Sequence, residues 1–470
     1  MQMTYILTDL FVYTICIAIA VYAWRVMRNP QQRANWSLVF RRPVAAVSGL
    51  IILFFLCIAA LDSIHYRPAL PAAAGQTKAV YGEPRSLLDA GLASLATARE
   101  RSYSQPLAYQ AFRKETFERN GASVRDYPRL RFGGAHLTSP ETEHAADIAS
   151  RSFVAVAKAI AISAGLIVIG LLIGTLRQGQ GVGRAWQTFI KGQSKWPWRS
   201  LALTALGLIM VCAWVMELSA VYHVFGTDRT GNSVLVVALK SVRTALVIGS
   251  LTTLVVLPLA ITLGVIAGYF RGWVDEVIQY IYTLLASIPD VLLIAATVLM
   301  LQVFIDTNPA LFETALERSD ARLFFLCLIL GITSFTGLCR LVRGETLKLR
   351  ELDYIQGAQA FGVSTPRILA RHIVPNLMHL VLINMVMQFS AFVLAEAVLS
   401  YVGVGVDPNT ASFGVMINTA RSELAATPIV WWTLATAFAF MVMIVLSTNL
   451  LADAIRDAFD PRARLMRRPT

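Results

Sequence analysis

Hydrophobic positions in this chain come in long blocks, without the repeat of about 3.6 residues that marks a helix with one wet face. A helix needs about 20 apolar residues to cross about 30 Å of hydrocarbon. Nine stretches suit that length, near residues 5–24, 43–61, 153–175, 201–222, 243–269, 277–305, 322–342, 377–400 and 430–452. Pro289 interrupts the sixth. Proline is tolerated in a membrane helix when neighbouring helices take up the freed carbonyls, so the pattern predicts a packed bundle and not a lone anchor. Two polar stretches, 62–152 and 351–376, break the series of blocks.

The shorter one reads ELDYIQGAQAFGVSTPRILARHIVPN. Tyr354, Ile355, Ala358 and Phe361 recur at i, i+1, i+4 and i+7, which places them on one helical face. Gly362 stands where a left-handed C-cap would end that helix. Ser364 can N-cap a second helix, with Pro366 tolerated in its first turn and Pro375 marking its end. The predicted unit is helix, glycine turn, helix: a finger directed away from the bilayer, where a soluble partner can dock.

The longer stretch opens as irregular chain around Pro68, Pro71, Gly75 and Gly82. Ser86 followed by Leu87, Leu88, Asp89, Leu92 and Leu95 predicts a capped amphipathic helix, with Asp89 favourable near its N-terminus. A second helix is expected from 106 to 119. Few aromatic and β-branched residues argue for a small helical cap on the membrane domain. The chain therefore divides into N-terminal helices (1–61), a polar helical segment (62–152), two further helices (153–222) and a core (223–470).

Of 470 residues, 56% are hydrophobic and 15% charged, with a net charge of +12. The basic residues are spread over short loops: Arg25, Arg28, Arg33, Arg41 and Arg42; Arg177, Arg184, Lys191, Lys195 and Arg199; Arg340, Arg343, Lys348 and Arg350; Arg462, Arg464, Arg467 and Arg468. That spread argues against nucleic-acid binding and is the positive-inside signature. It puts the 351–376 finger and the C-terminus in the cytoplasm, and the N-terminus and 62–152 outside. The first apolar block has basic residues only after it, the wrong polarity for a cleaved leader, and is expected to stay as an anchor. The five cysteines lie in or beside apolar blocks, which implies no disulfide framework. The six histidines lack metal-ligand spacing, so no metal site is expected. No phosphate-cradling glycine loop or hydrolytic triad occurs; Lys191-Gly-Gln-Ser-Lys lacks the preceding glycines. Energy for any transport must come from another chain.

Several motifs share one order and spacing: HVFGTDRTGNSVL from His223, GYFRGWVD from Gly268, the 351–376 finger, LSYVGVGVDPNTASFG from Leu399 and NLLADAIRDAFDPR from Asn449. Together, over roughly 220–465, they resemble the C-type permease subunit of dipeptide, oligopeptide and nickel ABC importers; residues 36–68 are similar to that family's first span. The resemblance implies an all-α type I importer bundle. It also implies a second homologous permease, two cytoplasmic ATPase subunits that bind ATP and magnesium, and an external substrate-binding protein. This chain itself would bind no cofactor. The finger aligns with the family's E-A-A-x-x-x-G coupling motif, with Gln356, Gly357 and Ala358 at E-A-A, Gly362 at the glycine, and Ile373 with Pro375 at the closing I-x-P. Tyr354 and Phe361 lie in the same coupling segment. Gln356 and Gly357 depart from the motif, as does Asn232, where the family has Asp. The family does not account for the first span, the 62–152 segment or the two spans after it.

Three acidic residues are candidates for the pathway or its gate. Glu396 lies in an apolar run, and Asp290, beside Pro289, is expected to be buried; each is alternatively a helix-to-helix contact. Asp228 either holds its own turn or touches substrate. Arg456, Asp457, Asp460 and Pro461 are expected to cap the last helix. Other readings are a degenerate permease serving as membrane anchor or sensor, and a membrane-embedded enzyme, for which the ionisable residues form no single motif.

Overall fold

The computed structural model describes residues 2–3, 6–68, 82, 84–119, 122–178, 182–192, 194, 196–308 and 314–459. Pro71, Gly75, Lys195, Asp460, Pro461, the C-terminal arginines and the side chains of Arg177 and Arg184 lie outside what is described. The N-terminal elements are β1 (Gln2–Met3), α1 (Leu7–Arg28), α2 (Pro30–Phe40), α3 (Pro43–Asp62), β2 (His65–Arg67) and β3 (Arg85–Ser86). Then come α4 (Leu87–Gly91), α5 (Ala93–Thr97), β4 (Glu115–Arg119), β5 (Ala122–Asp126), α6 (Pro140–Gln178), α7 (Val182–Lys191) and α8 (Trp198–Ser219). The rest is helical: α9 (Val234–Phe270), α10 (Gly272–Ala286), α11 (Asp290–Thr307), α12 (Ala315–Ser334), α13 (Thr336–Arg350), α14 (Asp353–Ala360) and α15 (Thr365–Ile368). A π-helical turn, Leu369–Ile373, leads to α16 (Val374–Val402), α17 (Phe413–Leu424) and α18 (Trp432–Phe459).

Among the described residues, eight helices are long and apolar enough to cross a membrane, or nine if α12 and α13, bent by 42°, form one broken span. The fold is an all-α membrane bundle. The expected span 277–305 is divided between α10 and α11, because Pro289 supplies no N–H and caps the second piece instead.

The chain forms two compact units. One takes Met1–Thr4, Ala23–Arg243 and Ala411–Ala454; the other takes Tyr5–Tyr22, Thr244–Thr410 and Ile455–Thr470. In the first, α6 packs on α8, tied by Lys158 Nζ to Glu217 Oε2 at 2.6 Å and by Trp214 Nε1 donating to Ser152 Oγ at 3.0 Å. The three-stranded sheet β1-β2-β3 is antiparallel, as is the pair β4-β5. Ser86 and Asp89 form the expected capping box, but the helix breaks at Leu92 into α4 and α5. The helix expected over 106–119 is absent: Glu115–Arg119 is a strand paired with Ala122–Asp126. The sequence carried the signal, since Asn120-Gly121 between the two runs is a two-residue hairpin dipeptide.

In the second unit a core of Val265, Tyr269, Leu338, Val342, Ile355, Ile368, Ile373 and Leu377 joins α9 and α13 to the 351–376 segment and α16. Helices α9 and α13 meet nearly backbone to backbone. A Cβ on Gly264 would lie 2.7 Å from the Cys339 carbonyl, and one on Gly268 would lie 2.8 Å from that of Arg343. Small residues at the contact permit this close approach between apolar helices.

Candidate functional site: a braced polar hairpin

Residues 351–376 form a helical hairpin whose first arm, α14, ends in a complete Schellman motif. The Val363 N–H donates to the Ala358 carbonyl at 3.1 Å and the Gly362 N–H to the Gln359 carbonyl at 3.0 Å. Gly362 has φ +75°, and a Cβ there would have no neighbour within 4 Å. Glycine is required by the backbone conformation alone. The second arm departs from expectation. Ser364 has the extended backbone of an N-cap, but its hydroxyl makes no capping bond: Pro366 has no N–H to give, and the Arg367 N–H donates to the Ser364 carbonyl instead. Pro375 does not end the arm either. The π turn before it is closed by the Val374 N–H donating to Leu369 O, and α16 begins with Pro375 in its first turn. The arm runs on as a single membrane-length helical stretch, Thr365–Val402.

Tyr354, Ile355, Ala358 and Phe361 do not share one face. Ile355 is fully buried and Ala358 packs against the same core, whereas Phe361 is 91% exposed and Tyr354 48% exposed. The split follows from the width of the arc: at about 100° per residue, Phe361 and Tyr354 lie on the edge away from Ile355, and only the Ile355–Ala358 edge meets the core. Ile373 is buried. Gln356 is exposed, its amide 3.4 Å from the Glu351 carbonyl. A Cβ on Gly357 would meet nothing within 4 Å, so both departures from E-A-A leave the hairpin intact.

Residues 269–275 brace this hairpin, a contribution that local sequence patterns did not reveal. Arg343 on α13 holds Asp275 on α10 through two bonds of 2.6 Å, the fork-to-fork geometry guanidinium favours. The Arg343 guanidinium holds the Asp275 carboxyl below the usual range, against the opposing effect of burial. Arg350 donates to the Tyr269 carbonyl at 2.8 Å and lies 5.6 Å from its ring centroid, while the Gln359 amide donates to the Tyr269 hydroxyl at 2.9 Å. Arg271 pairs with Glu351, and Asn376 donates to the Tyr354 hydroxyl at 2.9 Å, closing the base of the two arms. The tip is therefore exposed while its base is tied to α9 and Arg271 and packed on α13, which Asp275 in turn clamps to α10.

The three acidic candidates have separate surroundings. Asp290 is exposed in the first turn of α11, not buried, and its charge suits the positive end of that helix. Glu396 is 2% exposed and accepts from Ser400 Oγ at 2.6 Å; Ser400 Oγ in turn lies 3.3 Å from the Val406 N–H. Asp228 accepts from the Thr230 N–H at 2.8 Å and the Asn232 N–H at 2.9 Å, the pattern of a side chain holding its own turn.

The turn containing Asp228 is clasped by the 98–134 chain within the same unit. The Glu100 N–H donates to Gly231 O at 3.0 Å, Leu107 to His223 O at 2.9 Å and Thr227 to Ser104 O at 3.1 Å. The Glu100 carboxylate is buried and accepts the N–H groups of Arg131, Phe132 and Gly133 at 2.9, 2.8 and 3.3 Å. His223 Nε2 stands 3.6 Å from the same carboxylate. Burial alone would raise the Glu100 carboxyl; His223 and the three N–H groups outweigh it and hold it at about 2.

A bundle of long apolar helices with a braced polar hairpin leading into one of them is the architecture of a membrane transport permease. Residues 260–465 match the family described as the binding-protein-dependent transport system inner membrane component, and the chain belongs to that family. It is 32% identical over 246 residues to the oligopeptide transport system permease protein OppC of Mycobacterium tuberculosis, covering 52% of this chain and 78% of that protein. The glutathione transport system permease protein GsiD of Pectobacterium atrosepticum is 31% identical over 242 residues, 52% of this chain and 73% of the relative. The dipeptide transport system permease protein DppC of Lactococcus lactis is 29% identical over 241 residues, 51% and 64%. These relatives are transport permeases, not enzymes, and the 62–152 segment lies outside the family match.

Proposed function

We propose that this chain is a permease subunit of an ATP-driven importer for peptides or similar small solutes, and that the 351–376 hairpin receives force from an ATPase subunit. The observation that carries this is the pairing of an exposed tip, Phe361 beside an open Gly362, with a base held to α9 by Gln359 on Tyr269, to Arg271 by Glu351, and to the α9–α13 core by Ile355. A push on the tip passes into membrane helices instead of bending a loop, which suits a hinge-type change between two bundle states. The chain would pair with a second homologous permease, with two ATPase subunits that bind ATP and magnesium and an external binding protein that delivers substrate. The spread of Lys and Arg supports a plasma-membrane location with the hairpin and C-terminus cytoplasmic and the N-terminus external. Peptides are favoured as substrates because the relatives are named for oligopeptides, dipeptides and glutathione. Among the acidic candidates, Asp228 holds its own turn and Glu396 is buried on Ser400 within α16, so exposed Asp290 is the candidate that the pathway reading retains.

The test is reconstitution with the subunits encoded beside it, followed by ATPase measurement with candidate peptides and the binding protein. Co-purification of the ATPase and several-fold stimulation by a peptide are expected. Failure of any ATPase to co-purify would overturn the partnership; stimulation only by non-peptide solutes would overturn the substrate class.

A further inference from the structure

At the starts of two membrane-length helices, α3 and α8, lies a cavity of about 460 Å³. Arg41, Phe189, Trp196, Trp198, Arg199 and Ser200 supply most of its wall, and none of its described lining residues is acidic. Neither helix has a side-chain cap: the N-cap positions are Arg42 and Pro197, and both lack the capping bond. Two helix ends therefore present uncapped N–H groups and partial positive charge beside two guanidinium groups. Arg41 and Arg199 are exposed and pair with no carboxylate among the described residues. Leu203, which also lines the cavity, is 68% exposed one turn further along α8, so an apolar track leaves the polar mouth.

Helix α7 supplies an independent observation. Trp186, Phe189 and Ile190 fall at i, i+3 and i+4, Trp186 stacks on Phe189 at 6.0 Å, and Gln187 and Lys191 occupy the other side. A short helix with aromatic residues on one face and a basic residue opposite belongs in the headgroup plane of a bilayer. Trp196 and Trp198, both partly exposed, are residues of the same interface.

We propose that this cavity binds the headgroup of an anionic phospholipid. The phosphate sits between Arg41 and Arg199, where a planar guanidinium matches phosphate oxygens. The α3 and α8 N–H groups complete the cradle, and an acyl chain lies along Leu203. The apolar track selects a lipid over a free phosphate. This gives α7 and the two helices flanking it, which the family match does not include, a role in fixing the subunit to its bilayer.

The experiment is native mass spectrometry of the full chain, purified in detergent with phosphatidylglycerol and phosphatidylcholine at equal concentration. The wild type is expected to retain phosphatidylglycerol selectively. Arg41→Gln and Arg199→Gln should each lower that retention about fivefold, the effect of one arginine at an anionic surface. Arg113→Gln and Arg131→Gln, made singly, each remove the same charge elsewhere and should change nothing. Equal retention by the single variants and the wild type would overturn the proposal. Displacement of the lipid by excess inorganic phosphate would reduce the site to one for small anions and overturn the lipid assignment.

Discussion

Gly362 and Gly231 adopt the same left-handed backbone, with φ +75° and +80°, in opposite settings. Around Gly362 the space is open; at Gly231 a Cβ would overlap the backbone of Glu100. The first is an open turn, beside an aromatic ring that is 91% exposed. The second is a turn whose contacts are already made, by a stretch of the same chain that clasps it. Side-chain volume is therefore limited by packing at 231 and not at 362. The clasp covers its turn from within the chain, while the hairpin tip stays uncovered by this chain, where the proposed ATPase contact would fall.

Gly231→Val should show the largest effect, because backbone strain and a clash with immobile backbone act together. A loss on the order of 3 kcal/mol or more is expected, read as a collapse of the thermal melting temperature in detergent; wild-type melting would break the comparison. Glu100→Gln should cost about 1–3 kcal/mol at neutral pH by weakening a buried, charge-assisted cradle. Its pH dependence has a definite sign. The folded carboxyl is held at about 2, below its ordinary 4.5, so its contribution is complete above about 4.5 and is lost as pH falls toward about 2. Wild type should therefore lose more stability than Glu100→Gln on acidification through that window, and parallel melting curves would contradict the cradle.

Gly362→Val meets no clash and pays only the left-handed conformation, about 1–2 kcal/mol. The subunit should fold and assemble, yet ATP hydrolysis should proceed without uptake; normal substrate-stimulated uptake would sink the lever. The smallest effect is a gain. Gly357→Ala should add about 0.5–1 kcal/mol of helix stability, since the position is helical and open. A loss of stability would show that the hairpin is more crowded in the assembled transporter.

The glycine turn of the hairpin was legible because its signals are local: a C-cap glycine and a proline in a first turn act within a few residues. The brace was not. Arg343 reaches Asp275 across 68 positions and Arg271 reaches Glu351 across 80, and no short pattern records such pairs. Phe361 fits the helical repeat as well as Ile355 does, but the two lie about 120° apart around the helix and only the Ile355 edge meets the core. Asp290 was expected to be buried from the apolar run around it, but the break at Pro289 places it at a helix start. The helix expected over 106–119 gave way to strand β4, because its pairing with β5 is a contact between separate segments that a helical reading of one run does not see.

The central claim is that the hairpin tip meets an ATPase subunit. A photo-crosslinking amino acid in place of Phe361, in the complete co-expressed complex, tests it directly, with the same probe in place of the exposed Phe153 as control. An adduct with the ATPase from position 361, and none from 153, is the expected result. An intact, ATPase-containing complex that gives no adduct at 361 would contradict the account.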